Sequence, residues 1–212
     1  MSLNQEYDTI SRLYKARTNL LKQLAGVGYD VTKYTNFGIN EVNQMFINKQ
    51  QDMLVDHKTD GTKLYMNFHV EKGLRAQNVH DLIEDLYNLE EVLTKKDCLM
   101  IIAKDPANDT MKKLLQQLLA ASDIYVNVIS LSELQFCVLD HALVPPHTKL
   151  SAVEKQTVLD TYNIVSTASL PTISRFDPVA KMICMRPDDV CEIVRPSPTA
   201  VSSKYYRLCV NK

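Results

Sequence analysis

The chain has 212 residues and a formal net charge of −1, with 45% hydrophobic and 23% charged residues. This is the composition of an ordinary globular protein with room for one large or two small cores. It is too neutral for the whole chain to be drawn onto nucleic acid or an anionic membrane, so contact with either must come from a local patch.

No apolar run approaches the roughly 20 residues that span a bilayer. The first residues, MSLNQEYDTI, have neither the basic nor the apolar region of a secretory signal, so no membrane partner is expected. The five cysteines, Cys98, Cys137, Cys184, Cys191 and Cys209, form no C-x-x-C pair and suit free, mostly buried thiols in a reducing compartment. His141 and His147 lack the cysteine pair that would complete a tetrahedral zinc site, so no metal or other cofactor is expected.

In chain order, Ile10, Leu13, Tyr14, Arg17, Leu21 and Leu24 recur at helical spacing, and Gly26 or Gly28 would end that helix. A weaker helix is predicted from Asn40 to about Asn48. The segments Asp52 to His57 and Lys63 to Val70 read as short strands, with Asp60-Gly61 in the hairpin between them. The period then returns to 3.6 at Val79, Leu82, Ile83, Leu86 and Tyr87. Cys98 to Lys104 is a continuous apolar run, as a strand covered on both faces should be. Asn108 or Asp109 caps a helix carrying Met111, Leu114, Leu115, Leu118 and Leu119, and Ile124 to Ser130 is a further strand. Strand, helix, strand, helix, strand implies parallel pairing, hence a small mixed sheet flanked by helices.

A smaller domain follows. Ser151 and Glu154 have capping-box spacing for a helix to about Tyr162, and Asp177-Pro178 reads as an N-cap with proline at the first helical position. Val190 to Arg195 and Tyr205 to Val210 read as strands joined by a turn-rich loop, PSPTAVSSK. Pro145, Pro146 and Pro171 hold extended backbone leading into these elements. The predicted division is residues 1–134 and 135–212.

Enzyme chemistry finds little support. No G-x-S-x-G, G-x-x-x-x-G-K or G-x-G-x-x-G occurs. A metal-dependent nuclease could use Asp52, Asp56 and Glu71 near the hairpin. It would need an acidic-x-Lys triplet, whereas Glu71 and Lys72 are adjacent and would face opposite sides of a strand. No small-molecule substrate is expected.

Four blocks in the last third, HALVPPHTKLSAVEKQTVLDTY from His141, LPTISRFDPVAKM, VCEIVRPSPTA and YYRL, are similar in order and spacing to the C-terminal assembly module of the fifth common subunit of eukaryotic RNA polymerases. Archaeal polymerases carry a counterpart of that module. Upstream, ISRLYKARTNLLKQLAGVGYDVT (Ile10 to Thr32) resembles the opening helix of the eukaryotic protein's jaw domain, which the archaeal counterpart lacks. The resemblance implies an α/β, nuclease-like N-terminal jaw without catalytic residues and a small α+β C-terminal assembly domain. It further implies a non-catalytic subunit of a multisubunit DNA-dependent RNA polymerase, with the catalytic magnesium held by the largest subunit.

On that resemblance, the surface docked on the largest subunit would include His141, Pro145, His147, Pro171, Asp177, Pro178, Arg195, Ser197 and Arg207. Those residues also have local readings: Asp177 as a helix cap, the histidines as hydrogen-bonding residues at a domain edge. The jaw would approach downstream duplex DNA through Arg12, Lys15, Arg17 and Lys22, and through Lys104, Lys112 and Lys113. The sequence departs from the family at KDPANDT, at CMRPDD and at SPTAVSSKYYR, where the family carries a Thr-Pro-Ser-Ala-like turn, a glycine-rich turn and a glycine-containing turn. Such drift suits a copy from a large DNA virus. Localisation would be nuclear for a cellular protein, and a cytoplasmic viral factory or the virion for a viral one. A free-standing interaction adaptor is the alternative.

Overall fold

The computed structural model describes residues 3–212, with side chains from residue 8. Part of the N-terminal segment read above as lacking a secretory signal therefore lies outside the described residues. The chain divides after Cys137 into two compact units, each with its own four-stranded mixed sheet.

The first unit opens with helix α1 (Leu3–Val27), which buries Leu13, Leu20, Leu21 and Leu24 along one face. Gly28 ends it. Its φ is +115°, and a Cβ there would stand 3.1 Å from the His57 ring, so this position excludes a side chain on two counts. Gly26 lies within the helix. Helix α2 (Ile39–Ile47) follows and packs against α1.

Strands β1 (Met53–Asp56) and β2 (Lys63–His69) pair antiparallel, with Gly61 at φ +64° in their connection. Strand β3 (Cys98–Ala103) runs parallel to β2, and β4 (Tyr125–Ser130) parallel to β3. The sheet order is β1-β2-β3-β4. Every position of β3 and β4 is buried, which is why both read as apolar runs without alternation. The outer edge of β1 is occupied: the Tyr34 hydroxyl donates to Leu54 O and accepts from Leu54 N–H, both at 3.2 Å.

Helix α3 (Ala76–Ile83) does not continue as an α-helix through Leu86 and Tyr87. It widens into a π turn over Glu84–Leu89, closed by the Glu90 N–H on Asp85 O. The extra residue keeps Leu86 buried while Leu89 turns outward. Helix α4 (Asp109–Ser122) is capped by Asn108, whose side chain accepts the Met111 N–H at 2.8 Å.

The second unit, Val138–Lys212, contains β5 (His147–Lys149), α5 (Ala152–Thr161), β6 (Thr172–Ser174), α6 (Pro178–Met182), β7 (Val190–Ser197) and β8 (Val201–Val210). The sheet order is β5-β7-β8-β6. Strand β7 is antiparallel to both its neighbours, and β6 is parallel to β8. Ser151 and Glu154 form the expected capping box of α5, and Asp177 accepts the Val179 N–H at 2.9 Å to start α6.

One expectation for this unit needs correction. PSPTAVSSK is not a long loop: β7 runs to Ser197 and β8 begins at Val201, leaving a three-residue turn at 198–200. Strands β5 and β6, three residues each, were not predicted. The residues of CMRPDD do supply left-handed backbone without glycine, at Cys184 (φ +50°) and Asp188 (φ +71°).

The two faces of this sheet are covered by different helical segments. Val190 and Leu208 pack with Leu170 against Leu159 of α5, whereas the Cys209 thiol, pointing the other way, donates to Met185 O beyond α6. All five cysteines are free, and only Cys137 is not fully buried.

Candidate functional site

Strand β7 places Arg195 directly opposite Ser203 of β8, with Ile193 opposite Tyr205 and Cys191 opposite Arg207. Side chains of paired residues share a sheet face, so Arg195, Tyr205 and Arg207 form one row. The Arg195 guanidinium carbon stands 4.6 Å from the Tyr205 ring centroid, and that of Arg207 stands 5.7 Å from the same ring. Arg195 is exposed. The Nε of half-buried Arg207 has no hydrogen-bond acceptor among the described residues. Neither guanidinium has a carboxylate within ion-pair distance there. Burial pushes the Cys191 thiol up, and Arg207 beside it partly offsets that rise.

The opposite face of the hairpin is closed. Tyr206 donates to Glu192 at 3.0 Å and Lys204 lies 3.1 Å from the same carboxylate. Burial, then the Glu192 carboxylate, pushes the Tyr206 hydroxyl up to about 12. The arginine row is thus the unsatisfied face of this ribbon.

The other C-terminal candidates are held locally. The His141 ring accepts the Leu143 N–H at 3.2 Å, and His147, the first residue of β5, donates from Nδ1 to Pro145 O at 2.6 Å. The Ser197 hydroxyl faces Thr199 at 3.4 Å. Pro171 and Pro178 are exposed, and Asp177 serves α6 as its cap.

In the first unit, Arg12, Lys15 and Lys22 are exposed on α1. At 3.6 residues per turn they lie within roughly 80° of one another, a single basic stripe. Arg17 must be removed from that set. It is only 5% exposed, reaches Gln51 O at 3.5 Å and lies over the rings of Tyr34 and Phe37 at 5.9 and 5.5 Å. It follows the apolar periodicity of α1 rather than its charge pattern. Lys104 and Lys113 are exposed, and Lys112 sits 3.5 Å from Asp109.

Of the carboxylates considered for nuclease chemistry, Asp52 and Glu71 line one pocket with Lys72, whereas Asp56, at the far end of β1, does not join them. Asp52 accepts from the Tyr65 hydroxyl and Asn67 amide at 2.9 Å and from the Phe68 N–H at 3.1 Å, so it pins β2 rather than facing an ion. Burial and then the Asp52 charge drive the Tyr65 hydroxyl upward. Glu71 and Lys72 lie past the end of β2, not on a strand as the spacing argument supposed. Among the described residues no group of three or more His, Cys, Asp and Glu side chains is placed to hold a metal, and no helix is long and apolar enough to cross a membrane.

Arg175 was missed entirely. It is fully buried, its Nη1 donates to Asn211 at 3.4 Å and its guanidinium lies over Phe176 at 5.1 Å. Its position between Ile173 and Phe176, beside a short strand, was the available signal.

The family model for the RNA polymerase Rpb5 C-terminal domain matches residues 136–209, the part that carries the arginine row. Subunit Rpo5 of DNA-directed RNA polymerase from Pyrococcus abyssi is 43% identical over 76 residues, 36% of this chain and 92% of the archaeal protein. The chain belongs to the Rpb5/Rpo5 family of RNA polymerase subunits. Rpo5 from Methanothrix thermoacetophila is 46% identical over 77 residues, 36% of this chain and 97% of that protein. The Dictyostelium discoideum subunit rpabc1 of RNA polymerases I, II and III is 25% identical over 205 residues, spanning 96% of this chain and all of the relative. Members of this family are non-catalytic subunits of a multisubunit polymerase, and the polymerase core is their partner.

Proposed function

We propose that the second unit docks on the largest subunit of the polymerase and that the first unit is the jaw, lying beside downstream duplex DNA. The observation that carries the docking half is one of coverage. A 76-residue stretch of this chain accounts for 92% of an archaeal Rpo5, so a module of that size suffices for a polymerase subunit. Its exposed apolar side chains, Leu143, Val153 and Val165, and the two guanidiniums stacked on Tyr205 suit an interface that is covered in the assembly.

The jaw half rests on the basic stripe Arg12, Lys15 and Lys22 and on Lys104, Lys112 and Lys113. With a net charge of −1 for the chain, contact with phosphates would be sequence-independent and made only when the polymerase holds the jaw against the duplex. The nuclease-like character of the jaw, its proposed bounds near residues 1–134, and a nuclear or viral-factory location belong to the same reading.

Affinity purification of the tagged full-length chain tests it. Both large polymerase subunits should co-purify, and the segment from His141 to Lys212 should retain the largest one without the jaw. Recovery of neither would support a free-standing adaptor.

A further inference from the structure

We propose that β8 is completed in the assembled polymerase by an added strand: an extended segment of the polymerase core bearing a carboxylate opposite Tyr205. This rests on the docking reading above and names its mode.

The alternation of backbone groups locates the free edge. The Leu208 N–H donates to Pro171 O at 2.8 Å, on the β6 side of β8. Successive residues of a strand point their backbone groups to opposite edges, so Lys204 and Tyr206 also direct N–H and C=O to that side. Strand β6 pairs only with Leu208, Cys209 and Val210. Over 202–206 the edge of β8 therefore has no strand beside it among the described residues; the Ser202 N–H turns back onto Ala200 O, which leaves the outward groups of exposed Lys204 and of Tyr206.

The far edge of the same hairpin is different. On β7 the Val194 N–H is taken by Pro146 O at 3.2 Å, and Pro196 has no N–H to offer. Proline and short flanking strands are ordinary means of blunting an edge, and β1 of the first unit is blunted by Tyr34. The edge of β8 carries neither device. A row of unpaired N–H and C=O groups is satisfied by another backbone, which selects an extended peptide over a helix or a small molecule.

The side chains select its chemistry. A strand laid on β8 places one residue beside Tyr205, on the face it shares with Arg207, whose Nε has no acceptor and whose guanidinium lacks a carboxylate among the described residues. Arginine forks take carboxylates bidentately, so Asp or Glu belongs at that position. A second copy of this chain is a poor occupant. Edge-to-edge pairing of two β8 strands would bring a second Lys204 and Arg207 to the edge and no carboxylate, since residues 201–210 contain neither Asp nor Glu.

Hydrogen–deuterium exchange on the full chain, alone and within assembled polymerase, reads the edge directly. The amides of Lys204 and Tyr206 should exchange freely in the isolated chain and slow by about tenfold or more on assembly. A paired variant test uses Lys204→Pro, which removes one outward N–H without touching the β7 ladder, against Lys204→Ala, which loses only the ion pair with Glu192. Core recovery should fall about tenfold in the proline variant relative to the alanine variant.

Wild-type recovery of the core with both amides still exchanging freely overturns the added strand and leaves docking intact. Equal recovery of the two variants does the same. No core recovery by the wild type removes docking itself, and this inference with it. Concentration-dependent protection of the same amides in the isolated chain makes the occupant a second copy and overturns the core segment. The exchange measurement needs no variant, so misfolding of Lys204→Pro does not shelter the proposal.

Discussion

Asp97 accepts the backbone N–H of Lys63 at 2.7 Å, tying the residue that precedes β3 to the first residue of β2. The same carboxylate takes the Thr94 N–H and hydroxyl, each at 2.7 Å. Burial opposes its charge, but these donors prevail and hold it below its ordinary value of 3.8. A carboxylate depressed in the folded state contributes stability above its unfolded pKa, and that contribution fades as pH falls through the folded value. Asp97→Asn should cost about 1–3 kcal/mol at pH 7, and the difference from wild type should shrink below about pH 4. Urea melts at pH 7 and pH 3 check this; an undiminished difference at pH 3 would mean the charge is irrelevant.

The arginine row should matter for assembly more than the basic stripe of α1. Arg195→Ala or Arg207→Ala should weaken binding to the polymerase core by about 2–5 kcal/mol if either meets a buried carboxylate, whereas Arg12→Ala should leave it unchanged. Competition between tagged wild type and variants for limiting core gives the ranking. Equal competition by all three would take the row out of the interface.

Charge reversal at the start of α4 probes the jaw. Lys112→Glu with Lys113→Glu should assemble normally yet lower the salt tolerance of elongation complexes. Each lost phosphate contact changes the slope of log affinity against log salt by about 0.9. Lys112 already has Asp109 at 3.5 Å, so the larger share is expected from exposed Lys113. An unchanged slope would mark both as an inert solvated face.

The β7–β8 turn carries a relievable strain. Val201, the first residue of β8, is β-branched, 88% exposed and held at φ +59°, left-handed backbone that glycine adopts without steric cost. Val201→Gly should stabilise the protein by about 1 kcal/mol, since the steric cost removed exceeds the entropy that glycine adds. Thermal unfolding settles it: a lower midpoint for the variant would show that Val201 is not strained there.

What could be read from residues alone was local. Ser151 with Glu154, Asp177 with Pro178, and Asn108 each start a helix through a side chain that reaches its own backbone within three residues. The parallel core of the first unit was legible because β3 and β4 are apolar throughout, between helices of clear period. Other features were decided by partners distant in sequence. Strands β5 and β6 are three residues each and exist only because β7 and β8 lie beside them. The segment read as a loop, PSPTAVSSK, became strand because the register between β7 and β8 continues to Ser197 and Val201. Arg17 looked like a surface cation until Tyr34, Phe37 and Gln51 closed over it, and Arg175 disappeared into the second unit in the same way. Periodicity tells which face of an element is apolar, but burial of a charge depends on what packs against that face. Only the tertiary structure brings Arg195 and Arg207 onto one tyrosine and leaves the edge of β8 open, because both depend on strand register rather than on spacing along the chain.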